Sequence, residues 1–383
     1  MTSPALDVLQ VSSVHRWDDN RIFHKQCKSL AAHGRAVTLL AVDAPTGRVD
    51  GVEVVGVPHA PFGRVGRFLV TVPRMLWRTL RARARIVHVH DPELLLMALV
   101  NKLFGSKIVY DVHEDYPLDI LSKPWIPAPL RRPVAAISGL LERVAVRGFD
   151  AVVAATPSIG ARLSQYNPNT VVVANYPRVE ELNVPPESSG EGRTDVVYIG
   201  YLTEIRGIRV LVDAMKDVPA RLLLAGKFTD PALEEYVRSR LSPGRIEFVG
   251  WVDRENVGDL LRRAAVGVVP FLPEPSHLEA LPNKLFEYMA AGIPVVASDF
   301  AGWKELIEGM DVGWCARAGD AGAVAEKLRA ALADPEGARE RGQRGRAAVE
   351  ARLNWRAAFE NLLRAYSLAA GERVQEPGGA RNG

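Results

Sequence analysis

Cysteine is scarce: the 383 residues hold two, Cys27 and Cys315, and no Cys-x-x-Cys. That argues against a disulfide framework or a structural zinc site and for a reducing compartment. Long apolar runs are missing as well. No stretch approaches the roughly 18 residues of a membrane-spanning helix. The opening Met-Thr-Ser-Pro-Ala-Leu-Asp lacks the basic segment and apolar core of a signal peptide, so a cytoplasmic protein is expected. Charge of one sign is not in excess, and a net +3 is too weak to imply nucleic acid. Gly-x-Gly-x-x-Gly, the Walker A pattern, Gly-x-Ser-x-Gly, His-Glu-x-x-His and Asp-x-Asp are all absent. Their absence speaks against a nicotinamide cofactor, P-loop chemistry, a serine hydrolase and a zincin. No internal repeat is found.

What is present reads as two α/β domains, which the length accommodates. Leu6 to Val11 is an apolar run, followed by a polar loop over 12–20, a helix to about Ala32 that stops at Gly34, and a second strand over Val37 to Val42. This β-α-β opening predicts a parallel sheet. Strands over 86–90 and 107–112 run into His90-Asp91 and His113-Glu114. Ligands meet the carboxyl ends of strands in open parallel sheets. From Pro73 to Arg85 a helix is expected. Arg67, Arg74, Arg78, Arg81 and Arg85 share one face; Leu69, Val72, Leu76 and Leu80 share the other. It reads either as a surface for anionic lipid headgroups or as a domain helix with its arginines in water.

Residues 178–194 are rich in Pro, Gly and Ser and form the best linker. A second series of strands follows, ending at Gly200, Gly226 and Gly250-Trp251-Val252. The stretch from Glu279 to Ser298 reads as loop, helix, stop and strand. Asn283 suits an N-cap, Gly292 a C′ position, Pro294 forbids continuation, and Val295 to Ala297 is a short buried run. Between two carboxylates eight positions apart, Glu279 and Glu287, lie a helix N-terminus and Lys284. That combination predicts a phosphate site beside groups that bind neutral hydroxyls. A last amphipathic helix spans 354–366, and residues 371–383 read as a polar tail.

The Glu279–Glu287 stretch, Pro-Asn-Lys-Leu-Phe-Glu-Tyr-Met included, resembles the Glu-x7-Glu signature of the retaining family 4 (group 1) glycosyltransferases. The family's usual Gly-Phe-Gly after the first Glu is Ala280-Leu281-Pro282 here. The resemblance covers nearly the whole chain, in order. It implies the α/β GT-B fold, two Rossmann-like domains with parallel sheets facing across a cleft. Residues 1–177 would bind the acceptor, 195–350 the nucleotide-sugar, and a C-terminal helix over 351–370 would cross back to the first domain.

The same resemblance implies roles. His113 would face the donor sugar near its reacting carbon. Glu279 would hold sugar hydroxyls and Glu287 the ribose. Gly200, Tyr201, Arg206, Gly226, Trp251, Val252, Leu281, Asn283 and Lys284 would complete the donor site. Where the family places two cations on the donor diphosphate, this chain has Tyr201 and Arg206, so Lys284 is expected to supply the missing charge. His15, Asp19, His90, Asp91 and Glu114 would lie on the acceptor side. The implied reaction is sugar transfer from a nucleotide-sugar to a sugar, lipid-linked or small-molecule acceptor, with retention, no metal and no cofactor, in surface polysaccharide or glycoconjugate synthesis. A nucleotide-sugar epimerase, which would turn over donor without acceptor, stays open. So does a sugar-nucleotide-binding protein without turnover.

Overall fold

The computed structural model describes residues 7–61, 63–123, 125–181 and 193–372. Most of the expected linker (182–192) and of the expected tail (373–383) lies outside them. The chain divides into two compact units, Met1–Asn175 with Ala358–Gly383, and Tyr176–Ala357.

The first unit is built on an eight-stranded sheet. Its strands are β1 (Val8–Ser12), β2 (Val37–Val42), β3 (Gly47–Val49), β4 (Val52–Val57), β5 (Ile86–Val89), β6 (Lys107–Val112), β7 (Ala151–Ala154) and β8 (Thr170–Val172). Their order is β3-β4-β2-β1-β5-β6-β7-β8, parallel except for the β3–β4 pair. β1, β5 and β7 are buried along their whole length; β7 is wholly apolar, while β1 and β5 carry Gln10, Ser12 and His88 among apolar residues. The register Val8↔Val37 and Val8↔Ile86 makes β1 the central strand between β2 and β5.

The basic helix differs from the expectation of 73–85. Helical structure begins at Gly63 and runs to Ala82. Pro73 therefore lies inside it and does not start it. The turn before Pro73 is wide: the Val72 N–H reaches back to the Arg67 carbonyl, an arrangement that makes room for a residue with no N–H of its own. The helix stops at Arg83, whose φ is +48°, so Arg85 lies beyond it. Its faces also differ from the expected pair. Gly66, Thr71, Met75 and Thr79 are the buried positions, Leu69 is exposed, and Arg67 is ion-paired with Glu93 at 2.6 Å.

The second unit carries a six-stranded, fully parallel sheet, β9 (Asp195–Ile199), β10 (Leu222–Ala225), β11 (Ile246–Gly250), β12 (Ala264–Val269), β13 (Val295–Ser298) and β14 (Gly313–Ala316). The order is β11-β10-β9-β12-β13-β14. Helix Pro335–Ala351 packs closely on helix Asn283–Ala290, because Gly342 and Gly345 bring its backbone against Gly292 and Met289. The last helix, Trp355–Ala370, starts in this unit, where the Trp355 N–H donates to the Pro177 carbonyl at 2.9 Å. From Ala358 onward it belongs to the first unit. There Leu362, Ala365, Tyr366 and Ala369 are buried, and Asn361 Nδ2 donates to the Val172 carbonyl at 3.1 Å.

Candidate functional site

The second unit gathers three glycines and two cationic side chains at the carboxyl ends of its strands. Gly200 and Gly226 follow β9 and β10, Gly250 ends β11, and all three have positive φ. The Gly200 N–H donates to the Ala225 carbonyl and the Gly226 N–H to the Gly250 carbonyl. A methyl group on Gly226 would fall 1.8 Å from the Gly200 carbonyl oxygen, so only glycine lets the two loops approach. Lys284 and Arg206 converge on this spot. A methyl group on Gly200 would sit 3.0 Å from Lys284 Nζ and 3.8 Å from Arg206 Nη1.

The helix bearing Lys284 and Glu287, Asn283–Ala290, is fixed from several sides. The Tyr288 hydroxyl accepts from the Ile199 N–H at 3.1 Å, and its ring lies on Gly267 where any Cβ would collide. Trp303 Nε1 donates to the Ala280 carbonyl at 2.6 Å and holds the preceding loop. Ser298 Oγ donates to the Phe271 carbonyl at 2.7 Å. Pro282, not Asn283, occupies the capping position, and no side chain caps the helix. A proline there has no hydroxyl or amide to offer, so the first N–H groups of the helix keep no side-chain partner.

Lys284 is buried. Its ammonium donates to the Tyr198 hydroxyl at 3.2 Å and lies 5.0 Å from the centre of the Phe271 ring. Arg206 lies 5.8 Å from the same ring and 5.5 Å from that of Tyr201. Burial, then the Arg206 charge, lowers Lys284 from 10.5 to about 7, with Glu287 pulling the other way. Lys284 and Arg206, two cationic side chains on one spot with no ion pair to a carboxylate among the described residues, form a site that an anion would complete.

The other expected donor residues lie around this centre. Glu287 is partly buried one turn after Lys284, and Glu279 is exposed at the end of the short helix Pro275–Leu278. Trp251 is 62 % exposed, outside the core, with its ring 6.1 Å from that of Tyr201. Val252 and Leu281 are half-buried against the core. His277 was not singled out from the sequence. It is buried against Phe271 with Nδ1 3.1 Å from the Leu272 carbonyl, and burial, with Arg206 and Lys284 nearby, lowers its pKa. Its only sequence signal is a histidine two residues before Glu279.

The first unit holds a polar cluster, also at strand ends. Asp111 is fully buried and accepts from Arg21 Nη2 (2.7 Å), Arg21 Nε (3.0 Å) and Gln26 Nε2 (2.6 Å), with His90 and His113 at 3.4 and 3.3 Å. Against the cost of burial, Arg21 first and then His113 hold its carboxyl well below the usual range. His113 keeps 15 % of its side chain exposed. Burial lowers its pKa to about 4 against the pull of Asp111, so it is a neutral imidazole at pH 7. Its ring lies 4.8 Å from that of His15.

The other residues expected on the acceptor side have internal partners. Asp91 is buried: Oδ2 accepts from the Ser12 hydroxyl and the Ser13 and Val14 N–H groups, and Oδ1 is 3.5 Å from His15 Nε2. Asp19 caps its helix by accepting from the Arg21 and Ile22 N–H groups. His90 is buried between Gln10 and His113. His15 is partly exposed and Glu114 is exposed. Gln10, Gln26, Arg21 and Tyr366 were missed, because only the folded sheet brings them together.

His88, His90 and Asp111 place ligand-type atoms within 4.8 Å of one another. A metal does not fit there. Arg21 already occupies both Asp111 oxygens, and its fixed charge in the same pocket would repel a cation.

Two family profiles match the chain, "Glycosyl transferase 4-like domain" over residues 20–177 and "Glycosyl transferases group 1" over residues 193–334. The chain belongs to the group 1, family 4 glycosyltransferases. Among curated relatives, a phosphatidyl-myo-inositol mannosyltransferase of Mycobacterium leprae is 30 % identical over 54 % of this chain and 56 % of its own length. Spore coat protein SA of Bacillus subtilis is 23 % identical over 94 % of this chain and 97 % of its own. For the mannosyltransferase and the glycogen synthases of Mycobacterium tuberculosis, 56 % and 62 % of the relative's length is spanned. The fold is GT-B. Sucrose-phosphate synthase from Thermosynechococcus elongatus superposes with a TM-score of 0.76 at 20 % identity, over 95 % of this chain and 99 % of that one. Anabaena HepE, solved with UDP, gives 0.72 at 14 % identity, over 94 % and 99 %.

Proposed function

We propose that the protein transfers a sugar from a nucleoside-diphosphate donor to an acceptor hydroxyl. The observation that carries this is the convergence of Lys284 and Arg206 on Gly200, beside the uncapped start of helix Asn283–Ala290. A diphosphate leaving group develops charge as the glycosidic bond breaks, and fixed cations and helix N–H groups stabilise that charge without a metal. Lys284 thereby stands in for the missing cation of the family pattern. In this reading Glu287 binds the ribose hydroxyls, Glu279 the sugar, and the exposed Trp251 the base. UDP in HepE makes a uridine donor the first to try.

His113, neutral and held by His90 and Asp111, contributes a hydrogen bond to a donor hydroxyl rather than a charge. His15 is the acceptor-side group with an accessible ring. Retention follows from the family resemblance, and a lipid-linked or surface-polysaccharide acceptor from the wording of the Glu279–Glu287 stretch.

The test is a panel of UDP-, GDP-, dTDP- and ADP-sugars, with and without divalent metal, read as nucleoside diphosphate release and repeated with Glu287→Gln. Release from one donor, lost in the variant, is expected. Neither binding nor release of any nucleotide would sink the proposal.

A further inference from the structure

Outside both clusters, the least expected feature is the outer face of helix Ala128–Gly148. Leu130, Val134, Ile137, Leu141 and Val144 recur at alternating spacings of four and three residues, the pattern of a buried helical stripe. All five are exposed; Ile137, Leu141 and Val144 stand at 58 %, 61 % and 58 %. The helix uses a different face for its sheet, with Ala135, Glu142, Ala145 and Val146 buried.

Its neighbours extend the surface. β4 to β5, β5 to β6 and β6 to β7 all step the same way along the sheet. Right-handed crossovers therefore put the helices of 63–82, 95–103 and 128–148 on one side. Asn101 Nδ2 donates to Thr79 Oγ1 at 2.9 Å, and Gly148 abuts Leu99, so the three lie side by side. The first exposes Leu69 and Trp77, and the second exposes Leu96 and Leu103, the last at 86 %. Trp125, also exposed, lies 3.7 Å beneath the Arg64 guanidinium and 5.1 Å from Lys123 Nζ.

The acids around this apolar area are paired, and arginines are left over. Glu93, Asp119, Glu142 and Asp150 are ion-paired with Arg67, Lys123, Arg162 and Lys102. Arg74, Arg78, Arg81, Arg132 and Arg147 form no salt bridge among the described residues, and residues 63–86 contain no acid.

We propose that this three-helix face lies on an anionic lipid bilayer, with the 128–148 stripe dipped into the headgroup boundary and the arginines on lipid phosphates. It replaces the narrower 73–85 surface read from the sequence. Charge complementarity selects the occupant. A second copy docked through the stripe would set Arg131 and Arg132 against Arg143 and Arg147 in antiparallel packing, or like on like in parallel packing. A bilayer instead meets apolar area with acyl chains and every cation with a phosphate. The tryptophan held between cations suits the interface. No helix among the described residues is long and apolar enough to cross a membrane, so the contact lies in the membrane plane. The inference does not depend on the transferase reading.

The test is co-sedimentation of the full-length protein with phosphatidylcholine vesicles, pure or containing about 30 % phosphatidylglycerol, beside light scattering of the free protein. The wild type should pellet with the anionic vesicles and about tenfold less with the neutral ones. Ile137→Glu with Leu141→Glu should weaken anionic binding at least about tenfold, with unchanged thermal unfolding and unchanged nucleotide binding. Absence of the wild type from both vesicle pellets would overturn the proposal. So would a dimer in solution that this double variant converts to monomers, which would assign the face to a second copy. Retained nucleotide binding in the variant keeps this result separate from the donor panel.

Discussion

His113 Nε2 lies 3.0 Å from His90 Nδ1. One of the two must donate. His90 Nε2 faces the Gln10 carbonyl oxygen, so the His90 proton sits there and its Nδ1 accepts. His113 must then carry its proton on Nε2 and keep a lone pair on Nδ1. The Gln10 amide is oriented in turn by the Tyr366 hydroxyl, which accepts from Gln10 Nε2 at 3.1 Å and donates to His88 Nδ1 at 2.8 Å. A hydroxyl on the last helix thus sets the tautomer of His113 through two intermediates.

Tyr366→Phe should therefore do two things. It leaves His88 Nδ1 without its partner in the core and Gln10 Nε2 with only the long 3.4 Å bond to Gln26 Oε1, at about 1–3 kcal/mol of stability by denaturant unfolding. It also frees the Gln10 amide to turn, so imidazole nitrogen NMR should show His113 as a mixture of tautomers. A single unchanged tautomer would mean that Tyr366 acts only in packing.

Removing Arg21 should be far more costly. Asp111 is 0 % exposed, and Arg21→Met leaves its carboxylate without a cation. A loss of about 3–5 kcal/mol is expected, largely recovered when Asp111→Leu is added. A double variant no more stable than the single one would show that the pair is not what stabilises the cluster.

Lys284 makes a pH prediction. Its pKa falls from 10.5 to about 7 in the folded protein, so above pH 7 it is largely neutral. Between those values the unfolded chain holds the proton and the folded chain does not, so this group's contribution to stability rises with pH across that window. A bound diphosphate favours the ammonium. Nucleotide binding at pH 8 should then take up close to one proton, measured by calorimetry in buffers of different ionisation enthalpy, and affinity should fall as pH rises. Lys284→Met should abolish the uptake. No uptake in the wild type would remove Lys284 from the diphosphate.

Trp251→Ala separates binding from folding. The side chain is exposed and, among the described residues, its one ring partner is Tyr201, so stability should change by less than about 0.5 kcal/mol. If the indole covers the base, nucleotide affinity should fall by about 1–3 kcal/mol. Equal affinity by titration would place the base elsewhere.

The parallel β-α-β opening and the loop–helix–strand from Glu279 to Ser298 were legible because punctuation was strong, whereas the order of strands within each sheet was not read. Gly292 adopts φ +66°, and Pro294 blocks the helix. What was illegible depended on distant partners. Helix Asn283–Ala290 is buried nearly all round, so no periodicity marks Lys284 as an inward cation. Pro73 mimicked a helix start because its missing N–H is compensated by a wide turn that sequence does not announce. Helix Ala128–Gly148 was hidden by Pro129 and Pro133, and its apolar stripe gives no hint that it faces out. The Gln10–His90–Tyr366 chain joins residues more than 270 positions apart, a pairing that only the folded sheet creates.

The division of the chain also orders its synthesis. The second unit, Tyr176–Ala357, is continuous and complete once Ala357 has left the ribosome. The first unit must wait for residues made after the second, since Tyr366 satisfies Gln10 and His88 beside its central strand. Of the two units, the one begun first is therefore the later to mature. A chain stopped at Ala357 should show protease resistance in its second half while the first half is digested, and equal resistance in both halves would contradict that order.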